Sequence, residues 1–283
     1  MSGELSIKRL LDTATIDLRD IVCDGHCRHK SAEECAGSTY VVFPYRGAYV
    51  RHLGSDTAVA EPNQVLFFNK GESYSISHPV GGGDACLSLG IGEPWMSELV
   101  PEERLHKRGT LGFRQQRLRI DAGTQALAAR LRYDLGRGVS DTLEAETLVL
   151  SLLRRAVGRR TSHAAKGSAA RRKLVDRTKL TLATDLGRRW TLAEIAAEVA
   201  VSPVYLTQVF QQVEGMPLYQ YQLRLRLARA LDLLPRYDDL TALGMELGFS
   251  SHSHFSCAFR QTYGCTPNQL RRLSRPRPLP DHG

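Results

Sequence analysis

Residues Thr191 to Gly215 read TLAEIAAEVAVSPVYLTQVFQQVEG. Thr191 is a good N-cap and Glu194 stands three residues on, so the pair makes a capping box. Leu192, Ile195, Ala196 and Val199 then recur at helical spacing and form one apolar face. Ala200 and Val201 end that helix. Ser202 and Pro203 open a second one, the serine as cap and the proline in the first turn. Leu206, Val209 and Phe210 are its inward set, and Gly215 stops it. A helix, a tight turn and a second helix, with small residues where the pair must approach, is the helix-turn-helix arrangement.

Working outward, the unit recurs. Leu240 to Leu247 (LTALGMEL) is a short helix with Leu240, Leu243 and Leu247 inward. Gly248 turns the chain, Phe249 plugs the gap, and Ser250-Ser251 cap a helix that runs SHSHFSCAFRQTYG from Ser251 to Gly264, with Phe255 and Phe259 inward. Between the two units lies YQYQLRLRLARALDLL, a long helix that ends at Pro235. One such unit is a weak signal, because many helix pairs share the pattern. Two in tandem, at matched spacing across a stiff helix, is a strong one.

The chain has 283 residues, enough for two ordinary domains or one large one. Its apolar share of 42% and charged share of 24% fit a globular protein. A net charge of +8 points to a polyanionic partner, nucleic acid first, with a merely basic soluble protein as the plain alternative. Between Arg159 and Arg189 the basic residues are opposed only by Asp176 and Asp185. No apolar run approaches the roughly 20 residues that span a bilayer. The first residues, MSGELSIKRLLDTATIDLRD, lack the uninterrupted apolar stretch of a secretory signal. No membrane partner is expected, and a cytoplasmic location is. The six cysteines are then not expected to form a disulfide framework.

From Tyr40 to about Gly92 the pattern is β-like. YVVFPYRGAYVRHLG, VLFFN, YSISH and ACLSLGI are separated by the turn signals EPNQ, NKGES and HPVGGGD, which suggests a small barrel or sandwich. Two amphipathic helices follow. Asp121 to Leu135 carries Leu127, Leu131 and Leu135, and Leu143 to Val157 carries Leu143, Leu150, Leu153 and Val157. They could close the open end of a barrel, pair with a second subunit or pack within the monomer. Arg159 to Lys173 (RRTSHAAKGSAARRK) reads as a linker, and the tail that ends in RPRPLPDHG as disordered. The expected division is a sensing and dimerisation domain over 1–158, a linker over 159–173, a DNA-binding domain over 174–273 and a tail over 274–283.

The densest chemistry lies at CDGHCRHKSAEEC, residues 23–35. Zinc takes about four N and S ligands, and structural sites favour close cysteine pairs. Cys23 and Cys27 satisfy that spacing, and His26, His29, Cys35 and the more distant Cys86 could complete a site for zinc or another thiophilic metal. A thiol redox switch is the alternative: Arg28, His26 and Lys30 flank Cys27 and would favour its thiolate, with Cys86 as partner to Cys23 or Cys27. Absence of special chemistry is the third reading. No nucleophile, base and orienter come together in the sequence, and there is no phosphate-binding glycine loop, so catalysis is not expected.

The run WTLAEIAAEVAVSPVYLTQVFQQVEGMPLYQYQLRLRLARALDLL, followed by LGFSSHSHFSCAFRQTYGCTPNQLRR, closely resembles the AraC/XylS-type DNA-binding domain. The likeness covers about Leu174 to Leu273 and rests on the GF turn, the paired aromatics and the G-x-TP-x-x-LR ending. It implies a dimeric transcription regulator in which the second helix of each unit enters the major groove of double-stranded DNA, about one helical turn apart. Residues that would face the groove are Val204, Thr207 and Gln208, with Gln211 near phosphate, and then His252, Ser253, Ser256 and Cys257. Positions 208 and 257 are commonly Arg in such domains. Gln208 favours adenine where Arg would favour guanine, and Cys257 lacks the charge, so Arg171, Arg172 and Lys173 would supply part of the affinity. RNA polymerase is a further partner that the resemblance admits. In the first half, VAEPNQVLFFNKGESYSISHP with its Gly71 turn resembles a cupin strand pair. His52 and His78 are isolated, without the H-x-H pair of a metal-binding cupin, which weakens the competing reading of a cupin-type metalloenzyme fused to a DNA-binding module. The expected fold is therefore α+β: a small cupin-like β-barrel with two flanking helices, then an all-α domain of two helix-turn-helix units joined by a linker helix.

Overall fold

A computed structural model describes residues 5–25, 29–138, 140–158 and 167–274. The first half is β-rich: β1 (Leu5–Asp12), β2 (Ile16–Cys23), β3 (Glu34–Cys35), β4 (Tyr40–Arg46), β5 (Tyr49–Leu53), β6 (Asp56–Ala60), β7 (Gln64–Phe68), β8 (Ser73–Ser77), β9 (Asp84–Ile91), the short helix α1 (Glu93–Leu99), β10 (Leu105–Arg108), β11 (Thr110–Phe113) and β12 (Arg117–Arg119). The helices α2 (Ala122–Gly136) and α3 (Thr142–Val157) follow. The strands form a six-stranded sheet in the order β1-β2-β9-β4-β7-β12, a four-stranded sheet in the order β3-β8-β5-β6 and the hairpin β10-β11.

The central strands of the large sheet are buried on both faces, which is why they read as apolar runs rather than as clean alternation. Val41, Phe43, Val65, Phe67, Leu87 and Leu89 point to one side, where Leu131 of α2 and Leu152, Leu153 and Ala156 of α3 meet them. Val42, Leu66, Phe68 and Cys86 point to the other, against Tyr49 and Ala60 of the small sheet. The barrel expected from the sequence is instead this pair of open sheets. The chain leaves the large sheet at Gly47, where φ is +67° and an added Cβ would lie 2.1 Å from the Gly83 carbonyl oxygen. That corner carries the chain into the small sheet rather than prolonging one ladder.

Of the expected helix faces, that of α2 is observed, with Leu131 buried and Leu127 and Leu135 packed at its margin. That of α3 is rotated. Leu143 is 74% exposed, and Ala145, Val149, Leu152, Leu153, Ala156 and Val157 are the inward set. The sequence reading placed Leu143 inward because it counted large side chains. Small Ala145 and Ala156 are fully buried instead.

The second half is helical: α4 (Ala169–Thr184), α5 (Leu192–Glu198), α6 (Pro203–Glu214), α7 (Leu218–Leu233), α8 (Leu240–Glu246), α9 (His252–Tyr263) and α10 (Pro267–Ser274). Helix α4 begins inside the stretch read as linker, because the Ser168 side chain caps it by accepting from the Arg171 N–H. Residues 159–166 and 275–283, which hold the rest of the expected linker and most of the expected tail, lie outside the described residues. Helix α7 is a spine shared by two cores. Its Leu218, Tyr221 and Leu225 pack with α4, α5 and α6, and its Leu227, Ala230 and Leu231 with α8 and α9.

The halves meet through buried polar groups. Arg117 of β12 grips Asp176 of α4 with two hydrogen bonds, 2.9 and 3.2 Å. Glu61, next to β6, accepts from the Tyr221 hydroxyl, and near it, within the helical half, Lys179 of α4 pairs with Glu214 of α6 at 2.6 Å with both side chains buried. Burial pushes the Glu61 carboxyl above the ordinary range. Burial opposes the charge of Glu214 as well, but Lys179 and the nearby Arg117 hold its pKa below the ordinary value. Arg132 of α2 reaches Asp232 of α7 at 2.8 Å.

Two predictions follow from these contacts. Asp176→Ala strands the buried Arg117 and is expected to cost about 3–5 kcal/mol in urea unfolding, whereas the apolar pair Arg117→Met with Asp176→Leu costs far less. In the capping box, the Thr191 N–H, the Thr191 hydroxyl and Arg188 hold the Glu194 carboxyl down from 4.5 to about 2. A lowered acid pKa gives stability that is present above the unfolded value and lost as pH falls through the folded one. The stability difference between wild type and Glu194→Gln, read by urea unfolding, is therefore expected to shrink as pH falls from 4.5 towards 2.

Candidate functional site

Helices α6 and α9 are presented in the same way. Each begins at a serine whose side chain accepts from a backbone N–H, Ser202 from Tyr205 and Ser251 from His254. Each ends at a left-handed glycine, Gly215 at φ +68° and Gly264 at φ +76°. Caps at both ends fix the lengths, and the apolar faces fix the rotations. Leu206, Val209, Phe210 and Val213 anchor α6, while Phe255, Ala258 and Phe259 anchor α9. The turn before α6 passes through Ala200 at φ +57°, the one non-glycine in that region among the described residues. The turn before α9 uses Gly248, where a Cβ would lie 2.3 Å from the Gly187 carbonyl oxygen.

The opposite faces of the two helices are open. Val204 is 67% exposed, and Thr207, Gln208 and Gln211 are exposed beside it. Thr207 donates its hydroxyl to the Val204 carbonyl at 2.8 Å, which leaves Gln208 and Gln211 as the long polar groups of this face. On α9, His252, Ser253 and Cys257 are exposed and Ser256 half-buried. Ser256 and His252 share a hydrogen bond of 3.3 Å, and Cys257 accepts from Gln261. The sequence reading passed over Tyr205, 44% exposed on α6, and Arg260, exposed on α9. Tyr205 follows Val204 directly, and Arg260 lies three residues beyond Cys257.

The basic flank is only partly available to a polyanion. Arg171 and Lys173 are exposed, but Arg172 is half-buried and donates to the Gly167 carbonyl. Lys179 is engaged with Glu214 in the interior.

Among the described residues, Cys23, His29, Cys35 and Cys86 do not form one cluster. Cys35 is exposed on β3, opposite Ser73 in the small sheet. His29 is exposed, and His26 and Cys27 lie outside the described residues. Cys86 is buried in β9, and burial above all, with Asp84 and Asp20 nearby, pushes its thiol well above the ordinary range. Cys23 is instead grouped with His78 and Asp84, their ligand atoms all within 4.8 Å of one another. Sequence reading left His78 isolated, because only the strand pairing brings Asp84 opposite Cys23. His52 bonds Ser77 at 2.8 Å across the small sheet. A cleft of about 460 Å³ opens beside Phe67, Asn69, Glu72 and Phe113, with Arg117 and Arg172 at its wall.

The family model described as a helix-turn-helix domain matches residues 195–273, the span of both helix pairs. That stretch is an AraC-type domain. The transcriptional regulator ArgR of Pseudomonas aeruginosa is 40% identical over 86 residues, 30% of this chain and 26% of that protein. The transcriptional activator RhaR of Klebsiella pneumoniae is 32% identical over 106 residues, 37% of this chain and 38% of that protein. The chain thus spans about a quarter to two fifths of the length of these relatives. Among solved structures, the C-terminal domain of AraT from Geobacillus stearothermophilus is similar at 27% identity and TM-score 0.35, over 39% of this chain and 93% of that one. ToxT of Vibrio cholerae is similar at 12% identity and TM-score 0.35, over 93% of this chain and 99% of that one.

Exposure and ionisation predict thiol behaviour. Cys35 and Cys257 are expected to react quickly with an alkylating reagent in the native protein, and Cys86 only after unfolding, as peptide mass spectrometry would read.

Proposed function

We propose that the chain is a sequence-specific DNA-binding transcription regulator, not an enzyme, in which α6 and α9 are the reading helices of two helix-turn-helix units. The carrying observation is that the AraC-type stretch contains two capped, rotationally fixed helices with open polar faces. Val204, Thr207 and Gln208 would meet base edges and Gln211 a phosphate. His252, Ser253, Ser256 and Cys257 would do so from α9, weakly, since none carries a fixed positive charge. Arg171 and Lys173 would add phosphate contacts. A domain boundary near α4 accords with this reading.

The β-rich half, in this reading a cupin-like sensor, receives the signal. The cleft is walled by Arg117 and Arg172, and Arg117 holds Asp176 of α4. A ligand there would act on the contact that fixes the sensor to the first helix of the DNA-binding half. A second copy of the chain and RNA polymerase are its protein partners, and the cytoplasm its location. In accord with that location, no described helix is long and apolar enough to cross a membrane.

A gel shift with fragments of the neighbouring promoter region tests the reading: specific retardation is expected, and none, with or without added effectors, would sink it. Gln208→Ala should relax sequence preference in one half-site by about 1–3 kcal/mol, the discrimination of one bidentate base contact. Competition titrations against single-base operator variants check it.

A further inference from the structure

We infer that Cys23, His78 and Asp84 form a three-ligand site for a thiophilic divalent cation of the zinc type. The three residues come from three segments: the end of β2, the turn after β8 and the start of β9. Cys23 and Asp84 are direct partners in the antiparallel ladder, so their side chains leave the sheet on one face and lie close together. His78 reaches over the same point, its Nε2 2.9 Å from Asp84 Oδ2. One sulfur, one nitrogen and one oxygen thus lie within 4.8 Å of one another. A tetrahedral zinc, with bonds of about 2.0–2.3 Å, holds its ligand atoms roughly 3.3–3.7 Å apart. Side-chain rotations alone bridge the difference.

The backbone around the three residues is fixed by glycines whose side-chain space is already filled. An added Cβ on Gly25 would lie 2.8 Å from Gly83 Cα, and one on Gly83 would lie 2.5 Å from the Cys23 carbonyl oxygen. Gly47 meets the same Gly83 carbonyl from the corner between the sheets. All three have left-handed φ, between +67° and +70°. The turn that joins His78 to Asp84, PVGGG, is therefore pressed backbone to backbone against the end of the cysteine strand. An ordinary connection between β8 and β9 needs no such approach. A site that must hold a cysteine, a histidine and an aspartate at one point does.

The donor set selects the ion. A thiolate and an imidazole favour zinc and its neighbours, whereas magnesium and calcium ask for six or more hard oxygens. Binding releases the Cys23 proton. The thiolate and the Asp84 carboxylate then balance the charge of a divalent ion, with His78 neutral, so the occupied site is uncharged in a place where both His78 and Asp84 are about nine-tenths covered. Three protein ligands leave the fourth position for water or an outside group. Cys86 stands two residues along the same face but is packed among Val42, Leu66 and Phe68 and is not a ligand.

The full-length chain, reduced and stripped of metal under anaerobic conditions, is titrated with cobalt(II) and then with zinc. One equivalent of cobalt is expected to give an intense thiolate-to-cobalt charge-transfer band with tetrahedral visible bands, which zinc removes. Cys23→Ser should abolish the charge-transfer band. His78→Gln and Asp84→Asn should each weaken cobalt binding by at least about a hundredfold, more than loss of an outer-shell partner costs. Cys35→Ser should leave it unchanged. Wild-type protein with no such band overturns the site, as does a band that survives Cys23→Ser or is indifferent to both other variants. Because a variant can misfold, alkylation of Cys23 in wild-type protein is followed by peptide mass spectrometry: protection by zinc supports the site, and an unchanged rate overturns it. Neither readout involves DNA, so failure here is distinguishable from failure of the regulator reading.

Discussion

The contact on which the architecture depends is the buried pairing of Arg117 with Asp176, both side chains about nine-tenths covered. It ties an edge strand of the large sheet to the first helix of the second half. Glu61 with Tyr221 also crosses between the halves, and Lys179 with Glu214 is buried beside it within the helical half, so the junction is built of groups that are costly to separate unless water reaches all of them together. Such pairs add little net stability over apolar packing, but each strongly penalises the loss of its partner. A junction of this kind favours one relative placement of sheet and helices over its alternatives. It also gives a signal received near β12 a physical route to α4.

The same economy shapes the sheet. Because β4, β7 and β9 are covered on both sides, their residues divide between two cores by parity alone: Val41 and Phe43 face the helices, while Val42 faces the small sheet. A shift of one residue in register would exchange those sets. Register also decides chemistry, since it sets Asp84, and not Ala85 or Cys86, opposite Cys23.

Much of the helical half was legible in the sequence because its signals are local. The Thr191–Glu194 capping box, the Ser202-Pro203 opening, the Gly215 and Gly264 stops and the inward Phe255 and Phe259 all act within a few residues of themselves, and all are observed. The β-rich half was legible only in part. Strands β4, β5, β7, β8 and β9 carry apolar runs between turn signals. Strand β1 does not, because Leu5 and Ile7 face solvent at the edge of the sheet. The inward face of α3 was misjudged because it includes the buried Ala145 and Ala156, and alanines are weak markers of burial in a sequence.

By itself the sequence determined where α5, α6, α8 and α9 begin, end and bury their apolar sides, because caps, stops and helical periodicity are written in adjacent residues. Only the tertiary structure decided that the sheets stay open rather than close into a barrel, that Lys179 and Asp176 are spent inside the molecule, and that Cys23 meets His78 and Asp84. Those outcomes rest on strand order and register. These join residues 55 and 61 positions apart, distances over which no local pattern carries information.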